Sequence, residues 1–298
     1  MHVAHGVLLA FAGLLTIPVY LQADQTVNLA ATADSLVREL DASSNFGGAG
    51  LLCVAGMNSV NGAGSPRGRF DTVVKFNTAS AITVFNSAYG SGGWTVTAVQ
   101  LQLSQVAAPE NTFFPRGAGQ FSAAWQSSDS WSEGTGTPSA PQPGSGDVIT
   151  WQLLQSLVTG GTERALGGFS VVPEDSGHTY SLILDAAFVA DLKSGGDVTL
   201  HLLPQTADLG FTFHSHDFSD PAQQPLLIVT AAPLVYGDLN CDGAVNTTDI
   251  APFVLALLDP AAYASAYPTC SSERGDLNHD GAIDGRDVQA FALALLGP

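Results

Sequence analysis

Positively charged residues are scarce in this 298-residue chain. Only 9 Lys and Arg residues stand against 27 Asp and Glu, which gives a formal net charge of −18 at pH 7. Nine dispersed cations cannot form the basic stripe that binds a phosphate backbone, which excludes nucleic-acid binding. Charged residues make up only 12% of the chain and hydrophobic residues 45%. That balance excludes intrinsic disorder and a long helical protein rich in Glu, Lys and Arg.

Long apolar runs are also scarce, and the main one lies near the N-terminus. Residues 7–21 read VLLAFAGLLTIPVYL, a run that is short for a membrane span and is interrupted by Pro18. The pattern predicts a secretory signal peptide over residues 1–23, although no Lys or Arg precedes the run. A buried helix and an uncleaved anchor are the alternatives. No other stretch is apolar enough to cross a bilayer, so we expect a secreted, extracellular or cell-surface chain without a membrane span after cleavage.

Cysteine is rare, with only three residues in the chain. Export would place them in an oxidising compartment, where disulfides persist. Cys241 and Cys270 both lie in the C-terminal segment, so we predict that they form a disulfide. Cys53 lies in the apolar run LLCVAG and is predicted to be a buried free thiol.

Turn-forming residues, by contrast, are abundant, with 32 Gly and 16 Pro. Many short strands between turns favour an antiparallel β-sandwich or a barrel, so we predict a mainly β domain over residues 24–232. Helix is expected there only at 149–159 and 185–192. The predicted strands, in which apolar residues alternate with polar ones or form short runs, lie at 72–76, 94–103, 180–184, 197–203, 210–214 and 225–231.

Residues 233–298 have a different character because this segment repeats itself. The sequence GDLNCDGAVNTTDI begins at Gly237 and returns as GDLNHDGAIDGRDV from Gly275. Each copy continues into an apolar stripe at helical spacing, so two helices should pack face to face with pseudo-twofold symmetry. Asp259-Pro260 predicts a short helix between them. The stripes are Ile250, Phe253, Val254, Leu257 and Leu258 in one copy, and Val288, Phe291, Ala292, Leu295 and Leu296 in the other.

Each repeat contains a twelve-residue loop, loop 1 at 238–249 and loop 2 at 276–287. Side-chain oxygens stand at positions 1, 3, 5, 9 and 12, Gly stands at position 6, and position 7 supplies a backbone carbonyl, which is the spacing of an EF-hand calcium loop. Loop 2 carries four carboxylates and loop 1 three, so loop 2 should bind calcium more tightly. We predict two calcium ions, with the ligands Asp238, Asn240, Asp242, Ala244, Asn246 and Asp249 in loop 1, and Asp276, Asn278, Asp280, Ala282, Asp284 and Asp287 in loop 2.

Position 12 of both loops is Asp rather than Glu, and no full helix precedes loop 1. In this the segment resembles a type I dockerin, which implies a small all-α calcium-binding domain. Dockerins tether secreted, usually polysaccharide-active, proteins to cohesin modules on a scaffold. The resemblance places recognition on the exposed helix face and at positions 10 and 11, which are Thr247, Thr248, Gly285 and Arg286 here. The helices lack the basic pair common in cellulosomal dockerins.

The preceding domain is similar to the DNRLRE family of secreted β-sandwich domains. This resemblance implies a jelly-roll-like antiparallel β-sandwich, and some members of the family bind polysaccharide. It does not map a binding site onto this chain. The matching segments are Ala33–Glu39 with Asn45–Gly47, Arg69–Phe76, Ala98–Leu103, Trp131–Glu133, Phe213–Asp217 and Pro225–Val229.

Catalytic motifs are absent, since the chain has no G-x-S-x-G, H-E-x-x-H or P-loop sequence. His214 and His216, with Asp217, are assigned a structural hydrogen-bonding role, and a transition-metal site is the alternative. Trp125 and Trp131 lie in a polar stretch and are the candidates for stacking on sugar rings, with core burial as the alternative. The acids that a glycosidase would need to pair are interpreted as solvated turn residues, namely Glu133, Glu163, Glu174, Asp175 and Asp185.

These features predict a secreted, non-catalytic protein. Its β-sandwich would bind carbohydrate or act as a surface structural domain, tethered through the dockerin-like module to a cohesin-like or cell-surface protein. One alternative is a polysaccharide hydrolase or lyase, because dockerins accompany such enzymes. Another is a purely structural envelope protein, favoured by low charge and abundant Gly and Ser. The acidic chain disfavours anionic glycans unless calcium bridges them.

Overall fold

The computed structural model describes residues 23–106, 112–268 and 270–296, and antiparallel strands dominate it. Strands account for 36% of the structure and helices for 26%, so the predicted mainly β class is confirmed. The strands are β1 (Gln25–Arg38), β2 (Ser44–Asn45), β3 (Leu51–Ala55), β4 (Phe70–Asn77), β5 (Trp94–Gln105), β6 (Gly119–Gln126), β7 (Gln142–Pro143), β8 (Glu163–Val171), β9 (Ser176–Leu182), β10 (Asp197–Pro204), β11 (Gly210–His214) and β12 (Leu226–Pro233).

Six α-helices accompany the strands in the described part of the chain. The helices predicted near 149–159 and 185–192 are confirmed as α2 and α3, and the short helix after Asp259 as α5. Side chains cap their first turns: Asp185 accepts the N–H groups of Ala187 and Phe188, and Asp259 accepts that of Ala262. The helices are α1 (Ala79–Tyr89), α2 (Trp151–Gly160), α3 (Ala186–Ser194), α4 (Ile250–Leu258), α5 (Pro260–Ala266) and α6 (Asp287–Leu296).

Helix α1 was not predicted. Its centre contains the β-branched residues Ile82, Thr83 and Val84, which have low helix propensity. The helix nevertheless buries Ala81 and Phe85 against the sheet, and Phe85 packs on Trp94 with ring centroids 4.9 Å apart. Tertiary burial therefore overrides local propensity in this segment.

Six strands close a ring, which we call the barrel. Strand β1 pairs with β12 through residues 25–30 and with β4 through residues 31–38, and its register shifts between Ala31 and Ala33. From β12 the ring continues through β5, β11 and β3 back to β4. Strands β10, β6 and β8 extend outward from β4, and β9 pairs with β5.

The closed barrel corrects the predicted jelly-roll-like sandwich of two separate sheets. Two neighbouring strand pairs of the barrel are each joined at a single pair of residues. Strand β5 pairs with β11 at Gln105 and Phe213, and β3 pairs with β4 at Ala55 and Phe70. Alternation along a strand shows which side chains face inward but not which strand lies alongside. The sequence therefore predicted six of the strands, β4, β5, β9, β10, β11 and β12, but neither β3, β6 and β8 nor the closure of the ring.

Aromatic side chains fill much of the interior. Phe121 packs on Phe169, Tyr180 and Phe211 with ring centroids 4.9–5.3 Å apart, within the range of favourable aromatic pairs. Cys53 lies fully buried in the same core as a free thiol, which confirms the prediction, and burial raises its pKa to about 12. This core supports the strands that carry the surface sites.

The N-terminal prediction falls largely outside the structure. Residues 1–22 of the predicted signal peptide lie outside the described residues, so that expectation stays a prediction. Within the described ranges, no helix is both long enough and apolar enough to cross a membrane.

A buried ionic group joins β4, β10 and β8. His201 Nδ1 lies 2.6 Å from Glu163 Oε1, and His201 Nε2 lies 3.0 Å from Asp71 Oδ2. Arg69 forms two 2.8 Å hydrogen bonds to the same Asp71 carboxylate. Burial by itself lowers the pKa of His201, but the hydrogen bonds and charges of Asp71 and Glu163 outweigh it and raise this pKa to about 9.

The free energy of unfolding should fall as pH rises through the window between these two pKa values. Folded His201 keeps its proton up to about pH 9, whereas an unfolded histidine loses it near 6.5. The stabilisation is therefore complete below pH 6.5 and lost by pH 9, and it amounts to about 3 kcal/mol at most. Urea unfolding at fixed calcium across this range measures the slope.

Glu163→Gln is the matched variant, because it keeps a hydrogen-bond acceptor for His201 and removes one charge. Its stability should depend less steeply on pH than that of the wild type between pH 6.5 and 9. Identical slopes in the two proteins would show that this cluster does not hold the proton.

Candidate calcium-binding loops

Loop 1 folds around the carboxylate at its first position. Asp238 accepts the backbone N–H groups of Asp242 and Gly243, both at 3.2 Å. The carboxylate at position 12, Asp249, accepts the N–H groups of Leu239 and Asn246, at 2.8 and 2.9 Å. Both carboxylates are buried, and they gather the loop backbone around one acidic centre.

Loop 2 repeats this network at equivalent positions. Its position-1 carboxylate, Asp276, accepts the N–H groups of positions 5 and 6, at 3.1 and 2.9 Å. Its position-12 carboxylate, Asp287, accepts those of positions 3 and 9, at 3.1 and 2.9 Å. Two segments that share a sequence pattern therefore also share a loop conformation.

The backbone bends at the expected places. Gly243 and Gly281, at position 6, have φ values of 90° and 88°, a region open to glycine. Position 4 is also left-handed in both loops, with φ of 57° at Cys241 and 60° at His279. These turns direct the short side chains of positions 1, 3 and 5 toward the loop centre, as calcium coordination requires.

The donor set fits calcium. The proposed side-chain ligands of both loops are carboxylate or amide oxygens, the donors that this hard cation prefers. Each carboxylate oxygen that accepts a loop N–H keeps further lone pairs for a cation. The ligand residues predicted from the sequence are thus brought together loop by loop, and calcium would supply the positive charge that these acids lack.

An arginine distinguishes the two loops. Arg274 Nη1 lies 3.2 Å from Asp238 Oδ2 in loop 1, and both side chains are largely buried. Burial raises the pKa of Asp238, while the charge of Arg274 acts in the opposite direction. In loop 2 the nearby Arg286 lies 3.6 Å or more from the carboxylates and is 77% exposed, so solvent screens it. That loop 2 binds calcium more tightly than loop 1 stays a prediction.

A disulfide joins the two repeats, as predicted. Cys241, in loop 1, is bonded to Cys270, six residues before loop 2, with the two Cα atoms 5.7 Å apart. The bridge spans 29 residues of chain. Closing a loop of this length stabilises the folded state by about 3 kcal/mol in the chain-entropy model.

The two helices that follow the loops meet at equivalent residues. Phe253 of α4 and Phe291 of α6 stack with ring centroids 4.1 Å apart and ring planes 12° apart. Each stands four residues after position 12 of its loop, so their contact marks a local pseudo-twofold axis. Leu239, Ala256 and Tyr263 complete this small core.

Only part of each predicted apolar stripe is buried. Phe253 and Phe291 face the shared core, but one edge of each stripe remains in solvent, which corrects the expectation that the whole stripe would pack inward. Helices of nine and ten residues joined by such a small core cannot cover an apolar face wider than one row. The exposed side chains are Ile250, Val254 and Leu258 on α4, and Val288, Leu293 and Leu296 on α6.

The candidate stacking tryptophans are buried. Trp125 is 6% exposed and bonds to Asp191 through its indole N–H, and Trp131 is 3% exposed and bonds to Thr199. Neither ring presents a face to solvent, so the interpretation of these residues as sugar-stacking sites is wrong.

The acids and histidines considered in the barrel domain occupy several separate places. Asp185 caps α3, Glu174 lies 2.7 Å from His178, and Glu163 contacts His201. The two neighbouring histidines have different surroundings. His214 stacks on Phe218, whereas His216 contacts Glu133 and Asp34. Sequence reasoning missed this last grouping, because its members lie far apart in the chain.

Calorimetry on the full chain, stripped of divalent ions, should reveal two calcium sites. Changing Asp242 and Asp280 together to Ala removes one exposed carboxylate ligand from each loop and should sharply weaken both sites. These position-5 residues are preferable to position 12, whose buried carboxylates also hold the loop backbone. The control, Asp147→Ala with Asp208→Ala, removes two exposed carboxylates of the barrel domain and should leave both sites intact. Equal binding by the two double variants would contradict the assignment.

The chain matches no protein-family model and no curated protein sequence in the comparisons made with it.

Proposed function

We propose that this is a secreted, non-catalytic protein whose barrel domain is attached to a partner protein through a calcium-bound, dockerin-like C-terminal module. One observation carries the proposal. Two loops with the same sequence pattern and the same hydrogen-bond network are each followed by a helix, and the two helices meet at Phe253 and Phe291. The disulfide supports an oxidising location outside the cytoplasm.

The exposed edges of α4 and α6 supply a surface for the partner. Val254 and Leu258 are 43% and 76% exposed, and Val288 and Leu296 are 45% and 81% exposed. Contiguous apolar side chains in water mark interaction surfaces, because their burial by a partner is favourable. Their pseudo-twofold arrangement gives a partner two similar faces to bind, and the dockerin resemblance makes a cohesin-like protein the first candidate.

Positions 10 and 11 differ between the two faces. In loop 1, Thr248 lies within hydrogen-bond distance of Asn240 and Asn246, at 2.8 Å in each case, so its hydroxyl is engaged by the loop. In loop 2 the equivalent residue is Arg286, which is exposed and carries a charge. A partner that contacts the side chains at positions 10 and 11 would therefore distinguish one orientation of the module from the other.

Binding to a panel of immobilised cohesin modules tests the partner. Calcium-dependent binding should be lost when Val254, Leu258, Val288 and Leu296 are all changed to Asp, because charges would replace the apolar contact. Replacing one pair, Val254 and Leu258 or Val288 and Leu296, should weaken binding less if the two faces substitute for each other. Binding should also disappear when calcium is chelated.

The matched control is Leu40→Asp with Ile183→Asp, which changes two aliphatic side chains of similar exposure in the barrel domain. It should bind cohesin modules as the wild type does. A failure of the wild type to bind any cohesin would contradict the tethering proposal and leave the structural envelope role as the better account.

A polar groove on the barrel domain supports carbohydrate binding. The groove has a volume of about 490 Å³ and lies between the end of β5, the start of β9 and the segment after β11. Amide and hydroxyl groups are the usual partners of sugar hydroxyls, and a few convergent polar groups characterise ligand sites. Side chains that line it include Gln102, Ser104, Gln105, Ser176, His214 and Gln223.

Affinity electrophoresis in gels that contain neutral polysaccharides tests this groove. Gln102→Ala with Gln223→Ala should reduce any retardation, since both side chains would lose hydrogen bonds to the sugar. Gln100→Ala is the control, because this residue lies on β5 but does not line the groove. Release of reducing sugar by the wild type would instead support the enzyme alternative.

A further inference from the structure

Three side chains from distant parts of the chain converge at one end of the barrel domain. Asp34 lies in β1, Glu133 lies in the turn between β6 and β7, and His216 follows β11. One carboxylate oxygen or imidazole nitrogen from each residue lies within 4.8 Å of the other two. The calcium-binding proposal does not use this group.

Hydrogen bonds hold the three residues together. His216 Nε2 lies 2.9 Å from Glu133 Oε2, and the backbone N–H of Asp34 donates to Glu133 Oε1 at 3.2 Å. The backbone N–H of His216 donates to Asp34 Oδ2 at 2.7 Å. Each residue therefore contacts both of the others.

The group nevertheless lacks a partner for one buried oxygen. Asp34 is 0% exposed, and its Oδ1 is buried without any hydrogen-bond partner among the described residues. Leaving a buried carboxylate oxygen unsatisfied is costly. In the part of the chain that the structure describes, no ion pair brings Lys or Arg to Asp34 or Glu133. Two acids thus share a site that contains no permanent cation.

The surrounding residues fix the position of Glu133. The Asn45 amide donates to the backbone carbonyls of Glu133 and Ile149, and its oxygen accepts the N–H of Gly136. Gly134 has φ of 79°, and a Cβ there would collide with the Asn45 amide. The turn that carries Glu133 is thereby held in a single conformation, as a preorganised ligand site requires.

We propose that Asp34, Glu133 and His216 bind one Zn²⁺ ion. Carboxylate oxygen and imidazole nitrogen are both zinc ligands, with bonds of about 2.0–2.2 Å. The 2.9 Å separation of His216 Nε2 and Glu133 Oε2 lets one ion contact both atoms after a small movement. Three protein ligands leave the fourth position of a tetrahedral site to water.

The second imidazole nitrogen and the exposure of the site agree with this assignment. His216 Nδ1 lies 3.7 Å from Asp217 Oδ1, so the nearby carboxylate would need a small movement to accept a hydrogen bond from this nitrogen, the arrangement common for zinc-bound histidine. The side chains of Glu133 and His216 are 19% and 18% exposed, so an ion can enter from solvent. Bound zinc would tie β1 to two turns that lie about 100 and 180 residues away along the chain.

Zinc calorimetry on the full chain, in millimolar calcium that keeps the two loops filled, tests the proposal. The wild type should bind one Zn²⁺, and saturation should raise its Tm by about 5 °C or more at a hundredfold excess over Kd. His216→Gln should weaken binding by at least about tenfold, the smallest effect usual for loss of even an outer partner of a metal ligand. Co²⁺ in place of Zn²⁺ should give visible absorption that His216→Gln abolishes.

His214→Gln and His178→Gln are the matched controls, since the first changes the neighbouring histidine and the second the histidine beside Glu174. Both should bind zinc as the wild type does. Circular dichroism checks that each variant is folded, and Glu133→Gln replaces His216→Gln if the latter is not. Absence of zinc binding by the wild type, or equal binding by folded His216→Gln, would overturn the proposal, as would loss of binding in His178→Gln. None of these outcomes bears on calcium binding by the loops.

Discussion

The change of partner along β1 is the constraint on which the barrel domain depends. One half of this strand pairs with β12 and the other half with β4, so a single strand closes the ring. Once the register of a strand is set, the backbone hydrogen bonds determine which residues of the neighbouring strands lie opposite it. The same strand carries Asp34 just beyond the register shift, so closure of the ring also positions that carboxylate.

The shortage of cations shapes every polar site in the molecule. With −18 net charge, buried acids must find protons, amides or metal ions where other proteins use Lys or Arg. Asp71 is satisfied by Arg69 and His201, while the loop carboxylates accept backbone N–H groups and are proposed to bind calcium. Asp34 retains an unsatisfied oxygen, which is why its surroundings are the best candidate for a further cation.

The C-terminal module combines small size with symmetry. A bridge between Cys241 and Cys270 and a core centred on Phe253 and Phe291 hold two short repeats together. Such a core is too small to bury both apolar stripes, so one edge of each helix faces solvent. The incomplete burial that limits the stability of the module also creates the surface proposed to bind a partner.

Much of the local structure was predictable because it depends on neighbouring residues. The strand around Val73, the helix begun by Asp185 and the conformation of the two twelve-residue loops follow from alternation, capping and residue spacing, which act over a few residues. The burial of Cys53 as a free thiol followed from its apolar neighbours in the sequence. The helix at Phe85 did not, since it depends on what packs against it, and for Trp125 the sequence left stacking on sugars and core burial as alternatives.

The sequence by itself determined the mainly β class, the repeated loops and the disulfide, because each is encoded in local pattern or residue count. Only the tertiary structure decided that the strands close into a barrel, that α4 and α6 leave apolar edges exposed, and that Asp34, Glu133 and His216 meet. Asp34, Glu133 and His216 are separated from one another by 83 to 182 positions along the chain. No local pattern specifies such contacts, since they depend on which strands pair with each other and on how side chains pack in the core.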